Sequence, residues 1–272
     1  MTGVPGSLAD DRERQPFEPD REPAMSTVEI NYNRVRRQLS ICGASARCPG
    51  SSSISSIMPP GGDALRQIPS QRWNPTPLPT PACRFGAFVL QADRFDNAIF
   101  GLSSAESSAI DPQQRLLLEH GYAALHAAYE RRETLSAADI GIFLGIMHAD
   151  FNEMLVGNGS VYEATGGSLS IAAGRVSFVL GMQGPCVSYD TACSSALVAA
   201  HAAASAMHAH ECETSLVLAA SLMLSPKVRT ELSQPPVPIM DSRPPSKRIL
   251  LDLTLCLLSG ARSIRCRWHA LF

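Results

Sequence analysis

Two short runs, IGIFLGI at residues 140–146 and SLVLAAS at residues 215–221, are apolar along almost their whole length. A strand of that composition has no solvent face and must be covered on both sides, the situation of strands in a parallel sheet between helical layers. The segments between and around them have helical patterns. Asp111 followed by Pro112 is an N-cap with proline at the first helical position, and the helix it opens runs to about residue 131. Residues 168–180 (SLSIAAGRVSFVL) form a second helix and residues 194–209 a third. Between these two, GMQGP turns the chain into a short strand, CVSY. Strands alternating with helices give an α/β layered fold with a mainly parallel sheet.

The flanks differ in character. Residues 1–38 are charged and proline-containing, too polar to offset the entropy of ordering, and are expected to be disordered. The folded region, residues 39–230, opens near LSICGA. Within it, residues 51–81 are dominated by Ser, Pro and Gly and read as loop, with a brief helical possibility at residues 63–67. Residues 231–272 form a divergent tail, first Pro-rich and then mixed basic and apolar, to which the sequence assigns no fold.

With 23 basic residues against 25 acidic ones, the chain has no basic excess to recommend nucleic acid as a partner. Its N-terminus lacks the apolar core of an export signal, so a cytoplasmic location is expected. The run at residues 249–258 carries Asp252 and is shorter than the roughly 20 apolar residues of a membrane span. Eight cysteines are scattered without paired spacing and are expected to be reduced thiols.

One of those thiols occupies a special place. In YDTACSSALVAA, residues 189–200, Cys193 falls at a strand-to-helix junction. There, unpaired backbone N–H groups and the helix dipole stabilise an anion, and the same N–H groups can bind a developing oxyanion. The position suits a nucleophile that carries an acyl group as a thioester. It leaves a second reading open, a small buried core thiol.

The surrounding residues decide between them by resemblance. GPCVSYDTACSSALVAAHAA resembles the nucleophile motif of β-ketoacyl synthases, and most closely the ketosynthase domains of type I polyketide synthases. Three more segments match that family in order: RFGAFVLQADRFDNAIFGLSSAESSAIDPQQRLLLEHGYAAL, IGIFLGIMHADFNEML and TGGSLSIAAGRVSFVLGMQGP. ICGASARCPG and GGDALRQIPSQRW look like the opening of the same domain. The resemblance covers residues 39–227. It implies a thiolase-like fold, of which the chain would represent about the N-terminal half, and an acyltransferase of polyketide or fatty-acid biosynthesis. It also implies an acyl carrier protein as partner, acyl and malonyl thioesters as substrates, and a homodimer with the strand before the cysteine near its two-fold. No bound cofactor is implied, because the phosphopantetheine arm belongs to the carrier. Carried over by motif, Cys193 accepts the acyl group and its own N–H is half of the oxyanion hole. Asp190, Thr191, Ala192 and Ser194 shape the approach, and Gly184 and Pro185 set the turn before the strand.

The chain also departs from the family pattern. The HGTGT-type and later Gly-His motifs, whose histidines hold the malonyl thioester during decarboxylation, do not occur in it. His201, His208, His210 and His269 follow Cys193 but are read as surface or packing residues, since a helix leading away from the thiol cannot return them to it. The expectation is a chain limited to acyl loading, or an inactive remnant that serves as a dimerisation or carrier-docking module. Without the second half of the family's core, strands such as SLVLAAS are expected to lack cover.

Other constellations are weaker. Cys42, Cys48 and Cys83 lack metal-like pairing, and Cys186 reads as a core residue of its strand. Asp93, Asp96 and Glu106 read as loop and cap carboxylates. GGSLSIAAG lacks a P-loop lysine and the dinucleotide pattern. Arg12, Arg14, Arg34, Arg36 and Arg37 form a solvated basic stretch.

Overall fold

A computed structural model describes residues 39–49, 64–74, 84–128, 132–147, 149–155, 161–226 and 253–260. In chain order they form β1 (Ser40–Arg47), β2 (Arg66–Gln67), β3 (Phe85–Gly86), α1 (Ser104–Ala109), α2 (Pro112–Ala127), α3 (Arg132–Leu135) and β4 (Ile140–Ile146). Then follow α4 (Asp150–Leu155), α5 (Glu163–Gly166), α6 (Leu169–Leu180), β5 (Cys186–Tyr189), α7 (Ser195–His208), β6 (Thr214–Ser221) and β7 (Leu253–Gly260). A 3₁₀ turn, Ala192–Ser194, joins β5 to α7.

The main sheet has the order β1-β7-β6-β4-β5. β4 runs parallel to both β5 and β6, while β7 is antiparallel to β6 and β1. All strands but β7 therefore point the same way, which places the loops after them on one edge of the sheet.

Apolar periodicity explains the layers. Ile142, Leu144 and Ile146 alternate with Phe143 along β4, and every residue of that strand is buried. The first set packs with Leu216, Leu218, Leu117, Leu125 and Val176, the core shared with α2 and α6. Phe143 faces Ala199, Ala203, Ala206 and Met207 of α7. Small residues let α7 lie close on the sheet, and each fully buried Leu or Ile contributes about 1.5–3 kcal/mol.

Helix ends follow local chemistry. Asp111 Oδ1 accepts the Gln113 N–H at 2.7 Å, capping α2 at the position read from the sequence. α6 stops at Gly181, whose φ of 75° is the left-handed conformation that favours glycine.

Several expectations change. α1 is a helix that the apolar pattern does not announce, although Ser103 caps it by accepting the Glu106 N–H at 3.1 Å. α2 ends at Ala127, earlier than its apolar pattern suggests. The helical possibility at residues 63–67 gives way at Arg66–Gln67 to β2, which pairs with β3. Within the tail, Leu253–Gly260 is a strand that fills the place between β1 and β6. β6 is thus paired along both edges, and Leu216 and Leu218 are fully covered, contrary to the uncovered strand expected. Residues 1–38 and the arginines within them, Arg37 included, lie outside the described residues, as do Cys83 and His269.

Candidate functional site

The turn that carries Cys193 is built from hydrogen bonds among its own residues. Ala192 has φ +56°, a left-handed conformation that costs an alanine about 1–2 kcal/mol. Two hydroxyls hold the chain there. Ser194 Oγ donates to the Thr191 carbonyl at 2.7 Å and lies 3.0 Å from Thr191 Oγ1. Ser195 Oγ accepts the Thr191 N–H at 2.9 Å and donates to the Ala192 carbonyl at 2.7 Å. Asp190 Oδ1 accepts the Ala192 N–H at 3.2 Å.

Asp190, Thr191, Ala192, Cys193 and Ser194, the residues singled out by motif, are thus together on one turn, and all five are exposed. Ser195, which the motif reading passes over, is buried, and its hydroxyl bonds both the Thr191 N–H and the Ala192 carbonyl. Its signal is the second serine of CSS, which opens the helix where a hydroxyl can bond back to the preceding turn. The Cys193 N–H has no acceptor among the described residues.

The turn is seated by close backbone approaches. A Cβ on Gly145 of β4 would lie 2.5 Å from the Ser195 carbonyl carbon, so only glycine lets the first turn of α7 rest there. A Cβ on Gly184 would come within 2.6 Å of the Ile140 and Gly141 backbone. Next to it, the Pro185 carbonyl accepts the Ile142 N–H at 2.6 Å, which sets β5 against β4.

Cys186 is an exposed residue of β5 and not part of the core, because it lies on the outermost strand of the sheet. Partial enclosure of its sulfur still pushes that thiol above its ordinary value. His201 and His208 are on α7, about 12 and 22 Å along the helix axis from Cys193 at 1.5 Å per residue. His120 is elsewhere, with Nδ1 2.8 Å from Ser45 Oγ; burial first, and Arg47 second, lower its pKa to about 4.

The DPQQR motif organises the loops around the sheet. Gln113 accepts the Leu222 N–H at 3.1 Å, and Gln114 donates to the Gly166 and Ser168 carbonyls at 2.8 and 3.2 Å. Arg175 Nε donates to Gln114 at 2.7 Å, and its Nη1 pairs with Glu106 at 3.1 Å, so Glu106 does more than begin a helix. Asp150 accepts the Leu224 and Ser225 N–H groups at 3.1 and 3.2 Å. Asp111 is 1% exposed; burial, followed by the nearby Asp150 charge, raises its pKa to about 6.

A cavity of about 620 Å³ opens between α4, α5 and α6, lined by Asn152, Glu163, Gly167 and Leu169 among others; none of the five turn residues lines it. Among the described residues no three His, Cys, Asp or Glu side chains converge as a metal site. Among the same residues no helix is long and apolar enough to cross a membrane.

Helices cover both faces of this sheet and a cysteine lies on the turn after its outermost described strand, and the solved structures that match the arrangement are ketosynthases, of thiolase-like fold. The ketosynthase from module 6 of the bacillaene synthase of Bacillus subtilis 168 superposes with a TM-score of 0.71 at 28% identity, over 82% of this chain and 40% of that one. The family model of the β-ketoacyl synthase N-terminal domain matches residues 36–241, and the chain belongs to that family. It is 38% identical over 226 residues to a spectinabilin polyketide synthase system protein of Streptomyces orinoci, across 80% of this chain. It is 36% identical over 208 residues, 72% of this chain, to a type I phenolphthiocerol synthesis polyketide synthase of Mycobacterium bovis. The chain spans only 6% and 10% of those two relatives.

Proposed function

We propose that this chain is the nucleophile-bearing part of a polyketide synthase ketosynthase, with Cys193 as acyl acceptor. The observation that carries this reading is an exposed thiol on a hydrogen-bonded turn whose own N–H is left without an acceptor among the described residues. In the proposed step Cys193 Sγ attacks the carbonyl carbon of a thioester presented by an acyl carrier protein. The bond from that carbon to the carrier sulfur breaks, and the released thiolate takes up the proton that Cys193 gave up. The Cys193 N–H stabilises the oxyanion formed in between. The phosphopantetheine arm stays with the carrier, so the chain needs no cofactor of its own, and a cytoplasmic setting accords with this. Condensation with a malonyl unit belongs to the same family reading. Because the sequence contains no HGTGT-type motif, acyl loading is the activity assigned to these 272 residues.

The test is intact-mass spectrometry after exposure to a short N-acylcysteamine thioester, with Cys193→Ala beside it. One added acyl mass in the parent and none in the variant is the expected result. A soluble, folded parent that gains no mass would sink the reading.

A second reading is supported by a separate observation. Among the described residues β5 has no strand on its outer side, and α6 and α7, both packed against it, expose Phe178 at 87% and Leu197 at 74%. An open strand edge beside apolar side chains suits pairing with a second copy of the chain. A dimer with an unreactive Cys193 would make the chain a dimerisation or carrier-docking module.

A further inference from the structure

The peptide between Ala192 and Cys193 is trans and planar, so its carbonyl and its N–H point in opposite directions. Whatever fixes the Ala192 carbonyl therefore aims the Cys193 N–H. Two donors of one residue hold that carbonyl: the Ser195 N–H and, at 2.7 Å, the Ser195 hydroxyl. The same hydroxyl accepts the Thr191 N–H at 2.9 Å, so a single oxygen secures the peptide that enters Thr191 and the peptide that leaves the left-handed Ala192. Ser195 is 5% exposed and its backbone rests on Gly145, which leaves its side chain little room for another rotamer.

We infer that Ser195 is a positioning residue: by holding the Ala192 carbonyl toward α7 it directs the Cys193 N–H toward the carbonyl oxygen of an incoming thioester. This rests on the acyl-acceptor reading of Cys193 and adds to it the residue that orients the oxyanion donor. Without the hydroxyl, the Thr191 N–H loses its partner and the left-handed turn loses one of the bonds that offset its cost. The Ala192–Cys193 peptide then rotates, carrying the N–H away from the site of attack while the thiol stays on the same turn.

That division of effects supplies the test. Acylation of Cys193 by propionyl-N-acetylcysteamine passes through an oxyanion; alkylation by iodoacetamide does not. Both rates are followed on the Cys193 peptide in the full chain, in Ser195→Ala and in Ser195→Thr. Ser195→Ala is expected to slow acylation about tenfold, less than the roughly 100- to 1,000-fold of deleting an oxyanion donor outright. Alkylation should remain within about twofold in that variant, and Ser195→Thr, which keeps the hydroxyl, should restore acylation. Equal losses in both reactions, or a loss in neither, would overturn the inference.

Amide hydrogen exchange separates this result from failure of the acyl-acceptor reading. In the parent the Thr191 amide should be protected and the Cys193 amide unprotected, and Ser195→Ala should release Thr191. A parent that is alkylated but never acylated, with this exchange pattern intact, sinks the acyl-acceptor reading and the oxyanion role while leaving the hydroxyl's hold on the turn. A protected Cys193 amide in the parent overturns the inference whether or not Ser195→Ala folds.

Discussion

Gly145 lies directly against the backbone of Ser195, so close that a Cβ on it would stand 2.5 Å from the Ser195 carbonyl carbon. The middle of the sheet and the start of α7 are thereby in backbone contact, and the nucleophile turn is seated on β4. Gly145→Ala must push α7 outward, at a cost of about 1–3 kcal/mol for overpacking. Thermal denaturation should show the loss, and alkylation of Cys193 should change with it. An unaltered melting temperature would mean that α7 yields without strain.

Two titratable groups of α2, Asp111 at its cap and the half-buried His120, pull the acid stability in opposite directions. Asp111, raised to about 6, favours its neutral form in the fold. Its stabilisation is full below an ordinary carboxylate pKa and is lost as pH rises through about 6. His120, lowered to about 4, favours its neutral ring. Its stabilisation is full above the ordinary histidine pKa and is lost as pH falls toward about 4. Each effect is on the order of 2–3 kcal/mol, since a tenfold change in proton affinity corresponds to about 1.36 kcal/mol. The parent should therefore vary little between about pH 4 and 6. Asp111→Asn should become less stable toward acid over that range, and His120→Gln more stable. Denaturant midpoints measured across the range check both slopes, and matching slopes in the two variants would refute the assignment.

Arg175 joins α6 to Gln114 of α2 and Glu106 of α1, with only 9% of its side chain exposed. Arg175→Met takes the largely enclosed guanidinium away from both Gln114 and Glu106 and should cost about 3 kcal/mol. Glu106→Gln, which keeps a hydrogen-bond acceptor at a partly exposed position, should cost about 1 kcal/mol or less. Urea midpoints would rank the two; the reverse order would place the stability of this contact in Glu106.

The outer edge of β5 is expected to mediate self-association. Val187→Lys places a charge on that edge and should shift the sedimentation coefficient from dimer to monomer without altering the circular dichroism of the fold. A dimer that survives Val187→Lys would locate the interface elsewhere.

Much of the fold is readable in the sequence because its determinants are local. The unbroken apolar run of β4, the Asp111 cap and the Cys193 junction each depend on residues within a few positions of one another. β7 is not legible there, since its apolar residues follow a Pro-rich stretch and its place is set by partners in β1 and β6. Cys186 has the composition of a core strand, yet the sheet order leaves it exposed at an edge. The polar residues of DPQQR announce a helix start; that Gln113 and Gln114 are buried and bonded to loops around residues 166–168 and 222 follows only from the packing.

Local pattern is enough to place β4, β5, β6, α2, α6 and α7, and to put a thiol where a strand gives way to a helix, because propensity, capping and periodicity act over a turn or two of chain. Only the packing of the layers buries Ser195 and sets Gly145 against its backbone. That arrangement joins residues 50 positions apart, and a contact over such a distance is selected by how the layers close together, which no local pattern encodes.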